Sequence, residues 1–350
     1  MVAPGVHWVF DELPPSGARR GGDPSEHAFK HDVETLVREV VQNANDQALG
    51  FPALSFRVRE LRAEALGRFF DAIDWFTLSP HLRAAAAARG GRALAAYLRS
   101  LDTSGRLLLL QIEDRNTVGL TGDESEGDSH FRALCKDTLY SHKQTDAAGG
   151  SYGLGKSVLW TFSGLSTVLF NSVLFEDPDG CISPRLIGRA ELPSHAINGG
   201  RGTPGWYTGS GWFGRVGEAD SGGQRAESVW GTQAALLAGS LHLDRPARSG
   251  TSILIVGFRD PASDAEDGVE PLGQRIRQAA TRYFWPAMSL ETRRLRVGVA
   301  QDDGEKVIIA DEDELIAPFL ECYRRRTEAG DDLSQPGDLA LHRIALDLPD

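Results

Sequence analysis

The sequence has few cysteines and no long apolar run, and each of these two features argues against a class of protein. Lysines are also few. Its three cysteines, Cys135, Cys181 and Cys322, lie far apart without CxxC spacing, which fits a reducing compartment better than a disulfide framework or a zinc site. No window approaches about 18 consecutive apolar residues, so no transmembrane helix is predicted. The first residues lack a basic segment followed by an apolar one, so we expect a cytoplasmic protein without a secretory signal.

Charge is distributed unevenly along the chain. The formal net charge is −12, and a uniformly acidic surface does not attract nucleic acid. Acidic residues cluster over 123–128 and 260–270, whereas arginines gather over 275–296 and 324–326. These arginines are consistent with a solvated helix face or with a local DNA-contacting face, and both interpretations stay open. Only five of the 37 basic residues are lysines, which draws attention to Lys156.

The order of the predicted elements indicates an α+β fold. A helix is expected over 26–48, because its apolar positions recur at helical spacing. Strands are expected at 106–113, 165–174 and 252–258, where apolar residues dominate, and two helices over 62–100. This order predicts a two-layer α+β sandwich of the kind in which helices cover one face of a mixed or antiparallel sheet.

Composition also suggests two boundaries. Residues 1–25 are rich in proline and glycine and are expected to form an N-terminal arm, which precedes a main domain over 26–260. Residues 261–350 are expected to form an acidic linker and a C-terminal α/β extension. The sequence leaves open whether it is a whole protein or the N-terminal part of a longer one.

One edge of the first predicted helix carries polar residues that suit work on a nucleotide. At about 100° per residue, Glu39, Asn43 and Asp46 fall within a sector of roughly 60° beside the apolar stripe. A carboxylate can polarise water as a general base, and a neutral asparagine oxygen can bind Mg²⁺ that also bridges nucleotide phosphates. The pattern alone is equally typical of the hydrated edge of an amphipathic helix.

A buried strand is predicted to deliver Asp114 into a turn that contains Gly119 and Thr121. A buried carboxylate there could accept a hydrogen bond from the exocyclic amine of adenine, although Asp, Asn and Gly are also the ordinary residues of a turn. Thr251 begins a later strand, from which its hydroxyl could support a network around the carboxylate. Neither segment predicts a site by itself.

A glycine-rich segment before a predicted helix is the strongest signal in the chain. Closely spaced glycines let backbone N–H groups approach phosphate, and a helix N-terminus adds positive potential. The candidate phosphate-binding residues are Gly150, Gly153, Leu154, Gly155, Lys156 and Ser157. The segment also matches the P-loop pattern GxxxxGK[ST], but a P-loop follows a buried strand directly. Here the preceding residues 142–149 are polar, which disfavours a P-loop.

In this order and spacing, the four segments resemble the GHKL (Bergerat-fold) ATPase superfamily, which includes gyrase-type topoisomerases, heat-shock chaperones, MutL, histidine kinases and MORC proteins. The resemblance covers about residues 26–258 and is strongest to bacterial relatives of MutL, MORC and the heat-shock chaperones. It implies that Glu39 activates water, that Asn43 is the metal ligand for Mg²⁺, and that Asp114 binds adenine. Asn116 stands where the adenine motif usually has its first glycine.

The resemblance predicts Mg²⁺-dependent ATP binding and hydrolysis. Glu39 favours hydrolysis over phosphotransfer to histidine, because histidine kinases generally lack this glutamate. Residues 122–157 are expected to form a lid that brings Lys156 to the phosphates, where it also assists catalysis. Lid closure is expected to favour an ATP-dependent homodimer, and a DNA or protein partner in a bacterial DNA-related or antiviral system is a further expectation.

Two other functions are compatible with the sequence. One is a nucleotide-gated binding module with little hydrolysis, whose partner would be DNA or protein. The other is a P-loop enzyme, which predicts that loss of Asn43 leaves Mg-ATP binding intact. A zinc site at His130, Cys135 and His142 is not predicted, because the spacing is loose and a fourth ligand is not evident.

Overall fold

The computed structural model describes most of the chain, with a single β-sheet at its centre. The described residues are 4–14, 17, 32–124, 129–136, 157–198, 204–218, 223–263, 268–289, 294–301, 304–308, 312–330 and 332–340. Within them the strands are β1 (Val6–Glu12), β2 (Ala48–Arg62), β3 (Arg106–Thr117), β4 (Ser163–Val173), β5 (Arg185–Glu191), β6 (His195–Asn198), β7 (Pro204–Glu218), β8 (Gln224–Glu227), β9 (Val229–Trp230), β10 (Gly250–Phe258), β11 (Arg296–Gln301) and β12 (Gly304–Val307).

The strands follow the order β1-β7-β5-β4-β10-β3-β2-β11-β12 across the sheet, with β6 and β8 on β7 and β9 on β5. The pair β2–β11 is parallel, and the other pairs are antiparallel. The predicted α+β class with a mixed, mostly antiparallel sheet is therefore confirmed.

The helices of the described residues are α1 (Val33–Asp46), α2 (Ala63–Ala72), α3 (Trp75–Ala87), α4 (Arg92–Ser104), α5 (Ser157–Thr161), α6 (Gly231–Ser240), α7 (Val269–Ser289) and α8 (Ala317–Arg324). A π-helical turn occupies Arg132–Lys136, and a 3-10 turn occupies Arg326–Glu328. Among the residues that the structure describes, no helix combines the length and the apolar character needed to span a membrane.

Helix α1 forms because a cap and an apolar stripe act together. The Asp32 carboxylate accepts a hydrogen bond from the Thr35 N–H at 2.8 Å, which satisfies one of the free donors at the helix start. The predicted apolar positions from Val33 to Ala44 are buried. The part of the predicted helix over 26–31 lies outside the described residues. Burial of this stripe leaves a polar edge of α1 beside the core.

Helices pack on both faces of the sheet. Helices α1, α5 and α7 share one core with Leu108 and Leu110 of β3, and α2, α3, α4 and α6 share a second core with Leu107 and Leu109. This corrects the expectation that helices cover one face only. Successive strand residues point to opposite faces, so the continuous run of four leucines in β3 requires apolar cover on both sides.

The sheet continues across both boundaries that the composition suggests. Residues 6–12 form β1, which pairs with β7 and buries Val6, Trp8 and Phe10, so this part of the predicted arm belongs to the core. Beyond residue 260, β11 pairs with β2 and α7 packs against α1, where the Tyr283 hydroxyl donates a hydrogen bond to Glu34 at 2.8 Å. The division of the chain at 25 and 260 remains a prediction.

Candidate functional site

A cavity of about 460 Å³ lies between the polar edge of α1 and the ends of β3 and β10, and is called the central cavity below. It is lined by the polar residues Glu39, Gln42, Asn43, Asp46, Gln47, Asp114, Thr117, His130 and Thr251, by Gly119, and by the apolar residues Val40, Ala44, Leu54, Ile112, Leu120, Ala133, Leu134, Leu159 and Ile253. Its volume lies within the range of about 300–1,000 Å³ that is typical of small-molecule sites.

Asp114 forms the half-buried floor of the central cavity. Its Oδ1 accepts hydrogen bonds from the Thr251 N–H at 3.0 Å and from the Thr117 hydroxyl. Among the described residues, Oδ2 has no hydrogen-bond partner. Burial raises the pKa of the Asp114 carboxyl, and the Thr117 hydrogen bond and the charge of Arg245 oppose that rise. The floor therefore presents one unused acceptor atom to a ligand.

Strand β10 begins with a glycine because no side chain fits there. Gly250 has a φ of +142°, and a Cβ atom on it would lie 2.4 Å from the Asp114 carbonyl oxygen and 2.7 Å from Oδ1. The missing side chain allows the Thr251 N–H to approach Asp114. The sequence predicted that the Thr251 hydroxyl supports Asp114, but the backbone N–H does so instead, and the hydroxyl lies 3.2 Å from the Ser172 hydroxyl.

Ser172 on β4 joins three segments beneath the central cavity, and sequence reasoning missed it. Its hydroxyl donates to the Gly250 carbonyl at 2.8 Å and accepts from the Leu120 N–H at 2.9 Å. Gly119 has a φ of +74°, and a Cβ atom on it would lie 2.8 Å from the Ser172 Oγ. The polar pair Asn171-Ser172, which follows the apolar run 168–170, was the available signal for this contact.

The edge of α1 carries three candidate residues at the mouth of the central cavity. Glu39 is half-buried, and Asn43 and Asp46 are exposed. Their side chains make no hydrogen bond or ion pair within the described part of the chain. Glu34 on the same helix differs, because it pairs with Tyr283 and Arg282 of α7. The three cavity residues are therefore available to a ligand.

Thr121 contributes to the central cavity through His130. The Thr121 Oγ1 and the His130 Nδ1 are 2.8 Å apart, and His130 lines the cavity while Thr121 does not. Cys135 lies in the core, where burial raises the pKa of its thiol to about 12. His142 lies outside the described residues. Within them, no group of three or more His, Cys, Asp or Glu side chains is arranged to hold a metal ion.

Buried Arg185 fixes the chain that leads from the central cavity toward the predicted lid. Its guanidinium lies 3.2 Å from the centre of the Phe131 ring and donates to the carbonyls of Leu120, at 3.2 Å, and Gly122. It also donates to Glu124 at 3.1 Å. One β5 side chain, Arg185, thus contacts both 120–124 and 129–136, the described parts at the start of the predicted lid.

Most of the glycine-rich segment falls outside the described residues. This applies to Gly150, Gly153, Leu154, Gly155 and Lys156, and for Ser157 only the backbone at the start of α5 is described. Leu159, two residues later, lines the central cavity.

The end of β3 and the loop before β10 are tied together beside Asp114. The Arg245 Nη2 donates to the Asp114 carbonyl at 3.0 Å and to the Arg248 carbonyl at 3.1 Å. The Asn116 N–H donates to the Ser249 carbonyl at 2.9 Å. Asn116 has a φ of +62°, a left-handed conformation that asparagine tolerates better than most residues, which explains why it can stand where related motifs have glycine.

The central cavity is acidic as far as the described residues go. Glu39, Asp46 and Asp114 line it, and no Lys or Arg does. Its walls are apolar on the side of Leu54 and Ile253. Such a site suits a ligand with a flat apolar part that brings a cation, because an anion alone would be repelled by the carboxylates.

Among solved structures, the chain is similar to the 43K ATPase domain of Thermus thermophilus gyrase B in complex with an aminocoumarin, at 14% identity and a TM-score of 0.33. It is also similar to the topoisomerase IV ATP-binding domain of Francisella tularensis in complex with a small-molecule inhibitor, at 12% identity and a TM-score of 0.35. The first match covers 81% of this chain and 48% of the other, and the second covers 87% and 55%. The chain thus spans about half the length of the chains it matches. No protein-family model and no curated protein matches the sequence.

Proposed function

We propose that the chain is a GHKL-type ATPase domain that binds ATP with Mg²⁺ and hydrolyses it in the central cavity. One observation carries the proposal: a single cavity combines a half-buried carboxylate on its floor, apolar walls, and a helix edge with a carboxylate and a carboxamide at its mouth. The carboxylate on the floor and the apolar walls suit a purine base. The carboxamide at the mouth suits a metal-bound triphosphate, and the carboxylate beside it suits an attacking water.

Adenine is the part of the ligand proposed for the floor. The Asp114 Oδ2 accepts a hydrogen bond from the exocyclic amine, while Oδ1 stays held by Thr251 and Thr117. The walls formed by Leu54 and Ile253 cover the faces of the ring. Gly119 lets the backbone of its turn lie close to Ser172, because any side chain at this position would collide with Ser172. A buried carboxylate that binds the amine also discriminates against purines without one.

The phosphates are proposed to lie at the mouth, along the edge of α1. Asn43 is the proposed ligand of Mg²⁺ through its side-chain oxygen, and the ion, when bound, neutralises phosphate charge. The dependence on Mg²⁺ follows from the carboxylates of Glu39 and Asp46, which would repel a bare triphosphate. Gly150, Gly153, Leu154, Gly155, Lys156 and Ser157 are proposed to contact the phosphates from the opposite side.

Glu39 is the proposed general base. It lies one helical turn before Asn43, a rise of about 6 Å along the helix, so the two side chains share an edge. Water attacks the γ-phosphorus and passes a proton to the Glu39 carboxylate. The bond from the γ-phosphorus to the bridging oxygen breaks, which yields ADP and inorganic phosphate. Positioning and charge stabilisation supply most of the acceleration.

Lid closure and dimerisation are the proposed response to ATP. Residues 122–157 form the proposed lid, and Arg185 is its fixed attachment, because it holds the carbonyls of Leu120 and Gly122. The proposed homodimer forms when the lid closes. DNA or protein partners within a bacterial defence system belong to the same proposal.

The test is Glu39→Gln, with Glu34→Gln as the matched control. Both changes remove one carboxylate from α1, but Glu34 faces Tyr283 and Arg282 instead of the central cavity. We expect Glu39→Gln to bind a fluorescent ATP analogue normally and to lose phosphate release by a factor of roughly 10²–10⁴, as removal of a general base does. Glu34→Gln should hydrolyse ATP at the normal rate.

Three outcomes would contradict this mechanism. Equal hydrolysis in both variants removes Glu39 from the role of general base. Tight Mg-ATP binding by the unmodified chain without phosphate release identifies a nucleotide-gated binding module instead. Unchanged Mg-ATP binding after Asn43→Ala removes Asn43 from the metal site and favours the P-loop alternative.

A further inference from the structure

A second cavity lies at the side of the sheet where β2 and β11 meet the end of α7. It measures about 830 Å³ and is called the arginine groove below, because Arg115, Arg248, Arg296 and Arg324 line it. No Asp or Glu is among the described residues that line it. The whole chain has a net charge of −12, whereas this cavity is lined by four arginines, of which Arg115 is paired with Glu113.

Two of these guanidinium groups are available to a ligand. Arg248 and Arg296 are exposed, and within the described part of the chain their side chains make no ion pair or hydrogen bond. The arginines of the core differ, since Arg185 and Arg189 are paired with Glu124 and Glu191. Unneutralised guanidinium groups in a concave surface attract anions, and their planar donors match phosphate oxygens.

The arginine groove also offers an aromatic ring and an apolar floor. Phe51 is 63% exposed at its wall, and the Asn116 Nδ2 holds its carbonyl at 2.8 Å. Met288 and Ile308 are buried and form part of the floor. An exposed ring beside arginines is the arrangement on which unpaired bases stack while the backbone contacts cations.

We propose that the arginine groove binds single-stranded nucleic acid, with phosphates at Arg248 and Arg296 and a base stacked on Phe51. A duplex keeps its bases stacked inside and cannot cover the apolar floor. An acidic peptide satisfies the arginines but leaves the Phe51 ring uncovered. This partner goes beyond the proposed ATPase activity and does not depend on it.

The experiment measures fluorescence anisotropy of a labelled oligothymidylate of about 12 nucleotides, a length in the range of known single-strand sites, without any nucleotide triphosphate. The groove variant is Arg248→Ala with Arg296→Ala. The matched control is Arg89→Ala with Arg92→Ala, which removes the same charge from exposed positions on α4 and the loop before it. A third variant, Phe51→Ala, removes the ring and keeps the charge.

We expect the oligonucleotide to bind at low salt, and the groove variant to reduce the slope of log affinity against log salt by about 1.4, or 0.7 for each lost phosphate contact. The control pair should leave the slope unchanged. Phe51→Ala should weaken binding roughly 5- to 150-fold, as loss of one base stack does.

Three results would overturn the proposal. The first is no binding at low salt. The second is an equal effect of the groove and control pairs, which means a diffuse charge effect. The third is unchanged binding by Phe51→Ala together with equal competition by polyglutamate, which means that the groove takes an acidic protein segment. Failure of ATP hydrolysis leaves these measurements unaffected, so the two proposals are tested separately.

Discussion

Replacing Asp114 with asparagine should change which purine the central cavity accepts. The Oδ1 atom is held by the Thr251 N–H and the Thr117 hydroxyl, so the asparagine oxygen takes that place. The amide nitrogen then takes the position of Oδ2, so a hydrogen-bond donor replaces an acceptor there. An adenine amine would meet a second donor there, whereas the carbonyl of a 6-oxopurine would meet a suitable partner.

The size of the effect follows from the loss of one hydrogen bond to a charged acceptor and from the unpaired donors that replace it. A bond of this kind contributes about 1.5–3 kcal/mol, so we expect ATP to bind roughly 10- to 150-fold more weakly. Inosine triphosphate should lose much less, so its affinity relative to ATP should increase at least about tenfold.

Stability should change in the opposite direction from binding. Burial raises the pKa of Asp114, so the protein with an empty cavity loses stability as the pH rises above the ordinary carboxyl pKa of 3.8 toward the raised value. At neutral pH, Asp114→Asn removes this cost, and the nucleotide-free protein should be at least as stable as the original. A weak binder with unchanged or higher stability separates loss of recognition from loss of folding.

The assay is isothermal titration calorimetry with ATP and inosine triphosphate, alongside chemical denaturation. Asp244→Asn is the control, because it removes one exposed carboxylate that does not line the central cavity. Normal ATP affinity in a folded Asp114→Asn variant would refute the role of Asp114. Equal losses of affinity for both nucleotides would show that Asp114 does not recognise the group at position 6 of the purine.

Two further perturbations test the packing. Gly119→Ala should cost about 1–3 kcal/mol more in unfolding free energy than Gly5→Ala, because both glycines have a φ of +74° but only Gly119 would place a Cβ 2.8 Å from Ser172; equal costs in urea denaturation would refute the steric argument. Burial and the neighbouring His195 lower the pKa of His81 from 6.5 to about 4, so His81 contributes stability above pH 6.5 that is lost as the pH falls toward 4. His81→Gln should make the denaturation midpoint depend less on pH between 6.5 and 4, and an unchanged dependence on pH would contradict this.

Periodicity was sufficient to predict the part of the candidate site that lies on one helix. The residues Glu39, Asn43 and Asp46 share an edge because an α-helix turns about 100° per residue, and the structure brings all three to the central cavity. Asp114 could be predicted for a related reason, since a strand of four leucines had to be buried and its polar end had to lie at the edge of the core.

Contacts between distant residues could not be predicted in the same way. Ser172 meets Leu120 and Gly250 across 52 and 78 residues, and no local pattern encodes such pairings. Three helices instead of two occupy 62–100, because Asp74 adopts a φ of +54° and interrupts the helical run. Strand β7 contains many glycines, which weaken its strand propensity, so pairing with β1 and β5 decides the conformation.

Asp114 and Arg115 are consecutive residues of one strand, and each lines a different cavity. Whatever binds to the carboxylate therefore acts on a strand end that also borders the guanidinium groups. If a ligand in one cavity shifts this strand end, reciprocity requires that each ligand change the dissociation constant of the other by the same factor. A ligand of the arginine groove would then change the concentration at which the central cavity fills, without touching its ligand.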